Sequence, residues 1–148
     1  MKLPEIEISI KYKGTKKTEL KKVTSSRDAY DVCKLLYSEN TFDWVEEMIL
    51  ICLNRANKVI GYYRISQGGI SGTIADPKVI FTIALNCAGT SSIILSHNHP
   101  SGNTKPSDSD ISLTNKIKDA GYLLDISLLD HIIVTEDSYY SFADEGKL

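Results

Sequence analysis

The sequence predicts an α/β fold in which helices pack on a mixed β-sheet. Two short runs dominated by apolar residues, 48–53 and 92–96, are typical of strands that are buried on both faces. Segments with helical spacing of apolar residues alternate with the predicted strands, and this order indicates a mixed sheet flanked by helices. The 148 residues are enough for one domain that buries a core without disulfide bonds. We therefore predict a single domain over residues 1–148.

The N-terminal segment, 1–24, is predicted to form a β-hairpin at a sheet edge. Apolar and polar residues alternate over 6–10, and Gly14 precedes a second extended stretch that ends at Val23. Seven lysines and three glutamates give this segment a charge of +4, which leaves −6 for the rest of the chain. Two interpretations stay open: a charged edge that discourages aggregation, and a patch that binds an acidic partner.

The remaining elements are predicted from capping residues and apolar periodicity. They are a helix from Ser25 or Ser26 to about Ser38, a strand at 48–53, a returning strand at 58–65, a helix from Asp76 to near Gly89, a strand at 92–96, a helix that begins at Ser107 and ends at Gly121, and strands at 126–134 and 139–142. The glycine-rich segment 67–73 lacks the lysine and hydroxyl ending of a phosphate-binding loop, so we expect an ordinary loop or bulge.

Composition and charge argue against several classes of protein. No apolar run approaches the roughly 18 residues that span a bilayer, and the first residues lack the features of a signal peptide, so we expect a cytoplasmic protein without membrane attachment. Cys33, Cys52 and Cys87 lie among apolar residues and are expected to be reduced core thiols, with a thiolate metal ligand as the alternative. The net charge of −2 argues against strong non-specific binding to nucleic acid.

A candidate metal site follows the strand at 92–96. His97 and His99 are two of the three histidines, and alternation along a strand directs them to one face. Asp110 lies eleven residues beyond His99. Two imidazoles and a carboxylate are ordinary zinc ligands, and three protein ligands leave a fourth position for water, as in catalytic zinc sites.

Each part of this pattern also has an ordinary structural explanation. A His-x-His pair occurs in turns without a function, and Ser107 with Asp110 forms the pattern of a helix capping box. The combination favours the metal site, because a buried strand and a helix start place the three ligands on rigid elements. Zinc held there lowers the pKa of bound water to about 7, which supplies a nucleophile at neutral pH.

Hydrolysis also needs a group that accepts and returns a proton, and a carboxylate is the usual choice. Glu46 and Glu47 directly precede the strand at 48–53 and point to opposite faces, so only one of them addresses the metal. Because both faces of this strand are apolar, the pattern does not choose between them. A solvated residue at the strand entry is the alternative for either one, and is the expectation for Glu47.

These residues together resemble a known family. Glu46, His97-Asn98-His99-Pro100 and Ser107-Asp108-Ser109-Asp110 resemble the JAMM, or MPN+, metalloprotease motif Glu…His-x-His-x7-Ser-x2-Asp. Residues 97–102, 105–107, 128–133 and 53–59 resemble segments of its RadC-like branch, and the resemblance covers about 26–146. It implies a JAB/MPN-type fold, a mixed sheet between helices related to the cytidine deaminase architecture.

The resemblance also implies an activity and a role for each matching residue. Zinc would be bound by His97, His99 and Asp110, with Glu46 as general acid and base and Ser107 supporting the oxyanion. The reaction would be hydrolysis of a peptide or isopeptide bond in a protein substrate. The deaminase signature, His-x-Glu with Pro-Cys-x-x-Cys, is absent, which disfavours base deamination.

A DNA-associated function is the alternative. Full-length RadC proteins carry an N-terminal helix-hairpin-helix region associated with DNA, whereas this chain begins with the predicted hairpin, which weakens a role in DNA repair. The alternative is therefore an accessory or DNA-binding module whose metal site is structural. His131 matches a family segment, and we expect a hydrogen-bonded histidine near the sheet, with support of a metal ligand as the other interpretation.

Overall fold

The computed structural model describes residues 1–14, 19–68 and 75–148, and these contain three helices and five strands. In chain order they are α1 (Ser26–Leu36), β1 (Glu47–Leu53), β2 (Val59–Gln67), α2 (Pro77–Asn86), β3 (Ser92–Asn98), α3 (Asp108–Leu123), β4 (Ser127–Val134) and β5 (Tyr139–Ser141). Every element predicted after residue 24 is present, with ends that differ by a few residues. Most of the glycine-rich segment, residues 69–73, lies outside the described residues.

The five strands form one sheet in the order β2-β1-β3-β4-β5. The β3–β4 pair is parallel and the other three pairs are antiparallel, so the predicted mixed sheet is confirmed. Every residue of β1 and of β3 is buried, as their apolar runs predict. α3 connects the two parallel strands, which cannot be joined by a tight turn.

Helices cover both faces of this sheet. α1 packs against the odd-numbered residues of β1, including Ile49 and Ile51. α2 and α3 pack against the even-numbered ones, including Met48 and Leu50, and we call this side the α2/α3 face. Because side chains alternate along a strand, the parity of a residue in β1 decides which helices it meets.

The predicted N-terminal hairpin is wrong in the part of segment 1–24 that the structure describes. Residues 6–10 form no strand, and Ile6 and Ile8 are 86% and 66% exposed, so their alternation matches no apolar surface. The expected turn includes residues 15–18, which lie outside the described residues. The end of the segment meets the sheet through an isolated antiparallel bridge between Lys22 and Lys58.

Gly121 does not end α3, which is a second difference from the prediction. The helix continues to Leu123, and the residue with a left-handed conformation beyond it is Asp125, with φ of 55°. A Cβ atom on Gly121 would collide with the backbone oxygen of Ile126. Glycine is therefore required here because the chain returns close to the helix on its way into β4.

Replacing Gly121 by alanine is expected to lower the free energy of unfolding by about 1–3 kcal/mol, or more if the backbone must move, because the new methyl group meets backbone oxygen. Urea denaturation followed by circular dichroism measures the change. Asn115→Ala, at an exposed position of α3, is the control and is expected to change stability by no more than about 0.5 kcal/mol. Equal stabilities for Gly121→Ala and the parent would contradict the close approach.

The other expectations about the chain concern its cysteines and the membrane. Cys33, Cys52 and Cys87 are free and buried, which confirms the prediction of core thiols. Within the described ranges, no helix combines the length and the apolar character needed to cross a membrane.

Candidate metal centre

The histidines lie at the end of β3, on the α2/α3 face of the sheet. His97 is the penultimate residue of β3, and His99 directly follows the strand. Met48 is the partner of His97 across the β1–β3 pair. Glu46, two residues before Met48, therefore points to the same face as His97, and the choice between the two glutamates that the sequence left open falls on Glu46.

The start of α3 brings Asp110 to the same place. The predicted capping box is confirmed: Ser107 Oγ accepts the Asp110 N–H at 3.1 Å, and Asp110 Oδ2 accepts the Ser107 N–H at 2.8 Å. Gly102, with φ of 80°, turns the intervening loop and donates its N–H to the carbonyl of His99. The carboxylate of Asp110 is thus held by its own helix start while it faces the histidines.

Four side chains converge in this site. His97 Nε2 and His99 Nε2 are 2.9 Å apart, and the Asp110 oxygens lie 3.3 Å from the first and 3.5 Å from the second. Glu46 Oε1 lies 3.9 Å and 3.8 Å from the same two nitrogens. Glu46, His97 and His99 each offer a ligand atom within 4.8 Å of the other two, as a metal site requires. Ligand atoms that bind zinc tetrahedrally at its usual bond lengths are about 3.3 Å apart, and the Asp110 oxygens lie near this distance from the two histidine nitrogens.

The protonation of His99 also suits a metal ion. His99 Nδ1 lies 2.6 Å from the carbonyl oxygen of Asn103, and a carbonyl only accepts, so the ring hydrogen is on Nδ1. The Nε2 lone pair of the neutral ring then faces His97 and the carboxylates. Among the described residues, no lysine or arginine forms an ion pair with Glu46 or Asp110. Two imidazoles and two carboxylates without a basic partner fit a divalent cation.

Electrostatics within the site favour an ionised Asp110. Burial opposes this, but the adjacent His97 and His99 rings outweigh it and hold the pKa of Asp110 well below its usual range. Burial likewise opposes protonation of His99, but the Asp110 carboxylate and the Asn103 carbonyl raise the pKa of His99. A cation bound at His99 Nε2 would therefore compete with a proton for that nitrogen.

Glu47 is not the solvated residue that the sequence suggested. It lies on the α1 side of the sheet, is 4% exposed and forms an ion pair with Arg64. Its backbone N–H donates to Asn98 Oδ1 at 2.8 Å, and the Asn98 amide group donates to the carbonyl of Val45 at 2.8 Å. Asn98 thus holds the backbone on both sides of Glu46, a role that the sequence analysis missed.

His131 lies directly behind His97 and is fully buried. Its Nε2 is 2.8 Å from His97 Nδ1, its Nδ1 is 2.7 Å from Thr114 Oγ1, and its ring stacks on Phe142. Burial lowers the pKa of His131 well below the ordinary value. The prediction that His131 forms hydrogen bonds is confirmed, and one of these bonds is to His97, a candidate metal ligand. Thr114 was missed, although it lies one helical turn after Asp110.

Comparisons with known proteins show which family the chain resembles. Residues 23–147 match the family model of the RadC-like JAB domain. The chain is 47% identical over 128 residues to a UPF0758 protein of Flavobacterium johnsoniae, covering 86% of this chain and 54% of the relative. It is 38% identical over 144 residues to a UPF0758 protein of Porphyromonas gingivalis, covering 97% and 62%.

A third relative, a UPF0758 protein of Methanosarcina barkeri, is 38% identical over 126 residues, covering 85% of this chain and 53% of the relative. The chain thus spans little more than half the length of these relatives, and their names state no activity or substrate. The family match and the identities lead to one conclusion: the chain belongs to the RadC-like JAB domain family.

Proposed function

We propose that this domain is a zinc-dependent hydrolase that cleaves a peptide or isopeptide amide bond. The convergence of two imidazole nitrogens with the carboxylates of Asp110 and Glu46 carries the proposal. The site is also accessible, since Glu46 and Asp110 retain 18% and 14% of their side-chain exposure. Mixed imidazole and carboxylate donors suit zinc among the common metals.

The proposed roles follow from these positions. His97, His99 and Asp110 would hold the zinc ion, which supplies a Lewis acid for the substrate carbonyl and a water of lowered pKa. Glu46, close to both histidine nitrogens, takes the proton of the attacking water and passes it to the leaving amine nitrogen. The C–N bond breaks as the nitrogen gains this proton, so the products are an acid and a free amine.

Ser107 is proposed to stabilise the negative charge that develops on the substrate oxygen. Its hydroxyl accepts the N–H of Asp110 and, within the described part of the chain, donates no hydrogen bond. The hydroxyl proton is therefore available to an oxygen of the substrate. A donor already held by a capping box needs little rearrangement when that charge develops.

Metal removal tests the proposal directly. We expect the purified protein to bind one zinc ion per chain, to cleave members of a mixed library of peptides and lysine isopeptides, and to lose cleavage on dialysis against a chelator. One equivalent of zinc is expected to restore it. Unchanged cleavage by the metal-free protein would overturn the proposal. Stoichiometric zinc without cleavage of any amide, together with duplex DNA affinity that falls steeply with salt, would instead favour the DNA-binding alternative.

A further inference from the structure

We infer that Thr114 and His131 form a positioning relay that fixes the tautomer of His97 and so directs the Nε2 lone pair of His97 into the site. The relay is a chain of three hydrogen bonds from the backbone carbonyl of Asp110 to the ring of His97. The inference rests on the metal site of the proposed function and is independent of the bond that is hydrolysed.

The direction of the relay is set at Thr114. Its hydroxyl has one proton, which it donates to the backbone carbonyl of Asp110 at 2.6 Å. A carbonyl oxygen only accepts, so this proton is not available to His131. The contact of 2.7 Å between Thr114 Oγ1 and His131 Nδ1 therefore takes its hydrogen from the ring. His131 carries a hydrogen on Nδ1.

The second step passes from His131 to His97. The His131 ring is fully buried, and among the described residues it forms hydrogen bonds only with Thr114 and His97, so no carboxylate bonds to the ring to stabilise a charge on it. The neutral ring with hydrogen on Nδ1 has a lone pair on Nε2. Across the 2.8 Å contact, the hydrogen therefore comes from His97 Nδ1. His97 Nε2 is left unprotonated, facing His99 and Asp110.

The buried location of the relay explains why a histidine suits position 131. Leu95 of β3 is the partner of His131 in the parallel pair, which brings the His131 ring beside His97 under α3. The second nitrogen of a metal-bound histidine commonly donates to a carboxylate or a carbonyl. A neutral imidazole accepts the same hydrogen without adding negative charge to a site that already contains Glu46 and Asp110. Together with Thr114, the His131 ring also links the backbone of Asp110 to the ring of His97.

The tautomers can be measured in the metal-free parent protein. Long-range ¹H–¹⁵N correlation spectra at mildly alkaline pH distinguish a hydrogen on Nδ1 from one on Nε2. We expect both His97 and His131 to carry the hydrogen on Nδ1. A hydrogen on Nε2 of either neutral ring would overturn the inference. Because this measurement needs neither metal nor substrate, its outcome does not depend on whether the protein is a hydrolase.

Two variants of Thr114 test the consequence for the metal. Thr114→Val keeps the shape but removes the acceptor of His131 Nδ1–H, so the His131 hydrogen moves to Nε2 and that of His97 moves to the metal-binding nitrogen. We expect zinc affinity, measured by competition with a chromophoric chelator, to fall about 10- to 100-fold. Thr114→Ser keeps the hydroxyl and is expected to retain both the parent tautomer and affinity. Parent affinity and an Nδ1-protonated His97 in Thr114→Val would contradict the relay.

Discussion

Replacing Glu46 by glutamine is expected to lower the rate of amide hydrolysis by about 10²- to 10⁴-fold while the protein retains its zinc. Glutamine has nearly the same shape as glutamate, but its amide cannot take a proton from water at neutral pH. Glu46 Oε1 is also farther from the two histidine nitrogens than the Asp110 oxygens are, as expected for a group that contacts the attacking water. Steady-state kinetics and metal analysis of the same preparation measure both effects.

Two further glutamates provide controls for this variant. Glu39→Gln makes the same change at an exposed position and is expected to alter neither activity nor metal content. Glu47→Gln changes the neighbouring residue on the opposite face and is expected to lower stability, because Arg64 loses its charged partner, while activity per folded molecule is retained. Parent activity in Glu46→Gln would exclude Glu46 as the general base. Loss of zinc from Glu46→Gln would make Glu46 a ligand.

The sequence predicts the central elements of the fold well because their signals are local. The apolar runs of β1 and β3 have no alternative to burial on both faces, and the capping box at Ser107 and Asp110 is complete within four residues. The failures depend on distant parts of the chain. Alternation over 6–10 leads to a strand only if another part of the protein covers the apolar side chains. The need for glycine at 121 depends on the backbone position of Ile126, which a local pattern does not give.

In the candidate site, too, the residues close together in sequence could be predicted, whereas the choice of the distant glutamate could not. The spacing of His97, His99 and Asp110 can be read from the sequence because one loop joins them. Glu46 cannot be chosen over Glu47 in this way, because the choice depends on the pairing of Met48 with His97, and a shift of one residue would exchange their faces.

The middle residue of the His-Asn-His segment connects the two halves of the site. His97 and His99 face the α2/α3 side, so Asn98 faces the α1 side, where it bonds to the backbone of Glu47, Phe42 and Val45. These bonds fix the position of the backbone at Glu46, directly before β1 begins. One short segment therefore supplies two proposed metal ligands and also holds the proposed general base in register with them.

Asp110 combines a helix cap with a proposed metal ligand, and two substitutions separate these roles. Asp110→Asn keeps an oxygen that accepts the Ser107 N–H but lacks the negative charge, whereas Asp110→Ala loses both. We expect both variants to bind zinc more than about 100-fold more weakly than the parent, since loss of a ligand exceeds loss of a supporting contact. Isothermal titration calorimetry with zinc measures this effect.

The cap is measured separately, by urea denaturation of the metal-free proteins. Both substitutions remove the attraction between the Asp110 carboxylate and His99, so the difference between the variants reports the capping hydrogen bond. Asp110→Ala is expected to be less stable than Asp110→Asn by about 1 kcal/mol. Parent zinc affinity in Asp110→Asn would remove Asp110 from the ligand set and leave it as a cap. Weak zinc binding by both variants, together with a lower stability of Asp110→Ala than of Asp110→Asn, would instead mean that the same carboxylate caps the helix and binds the metal.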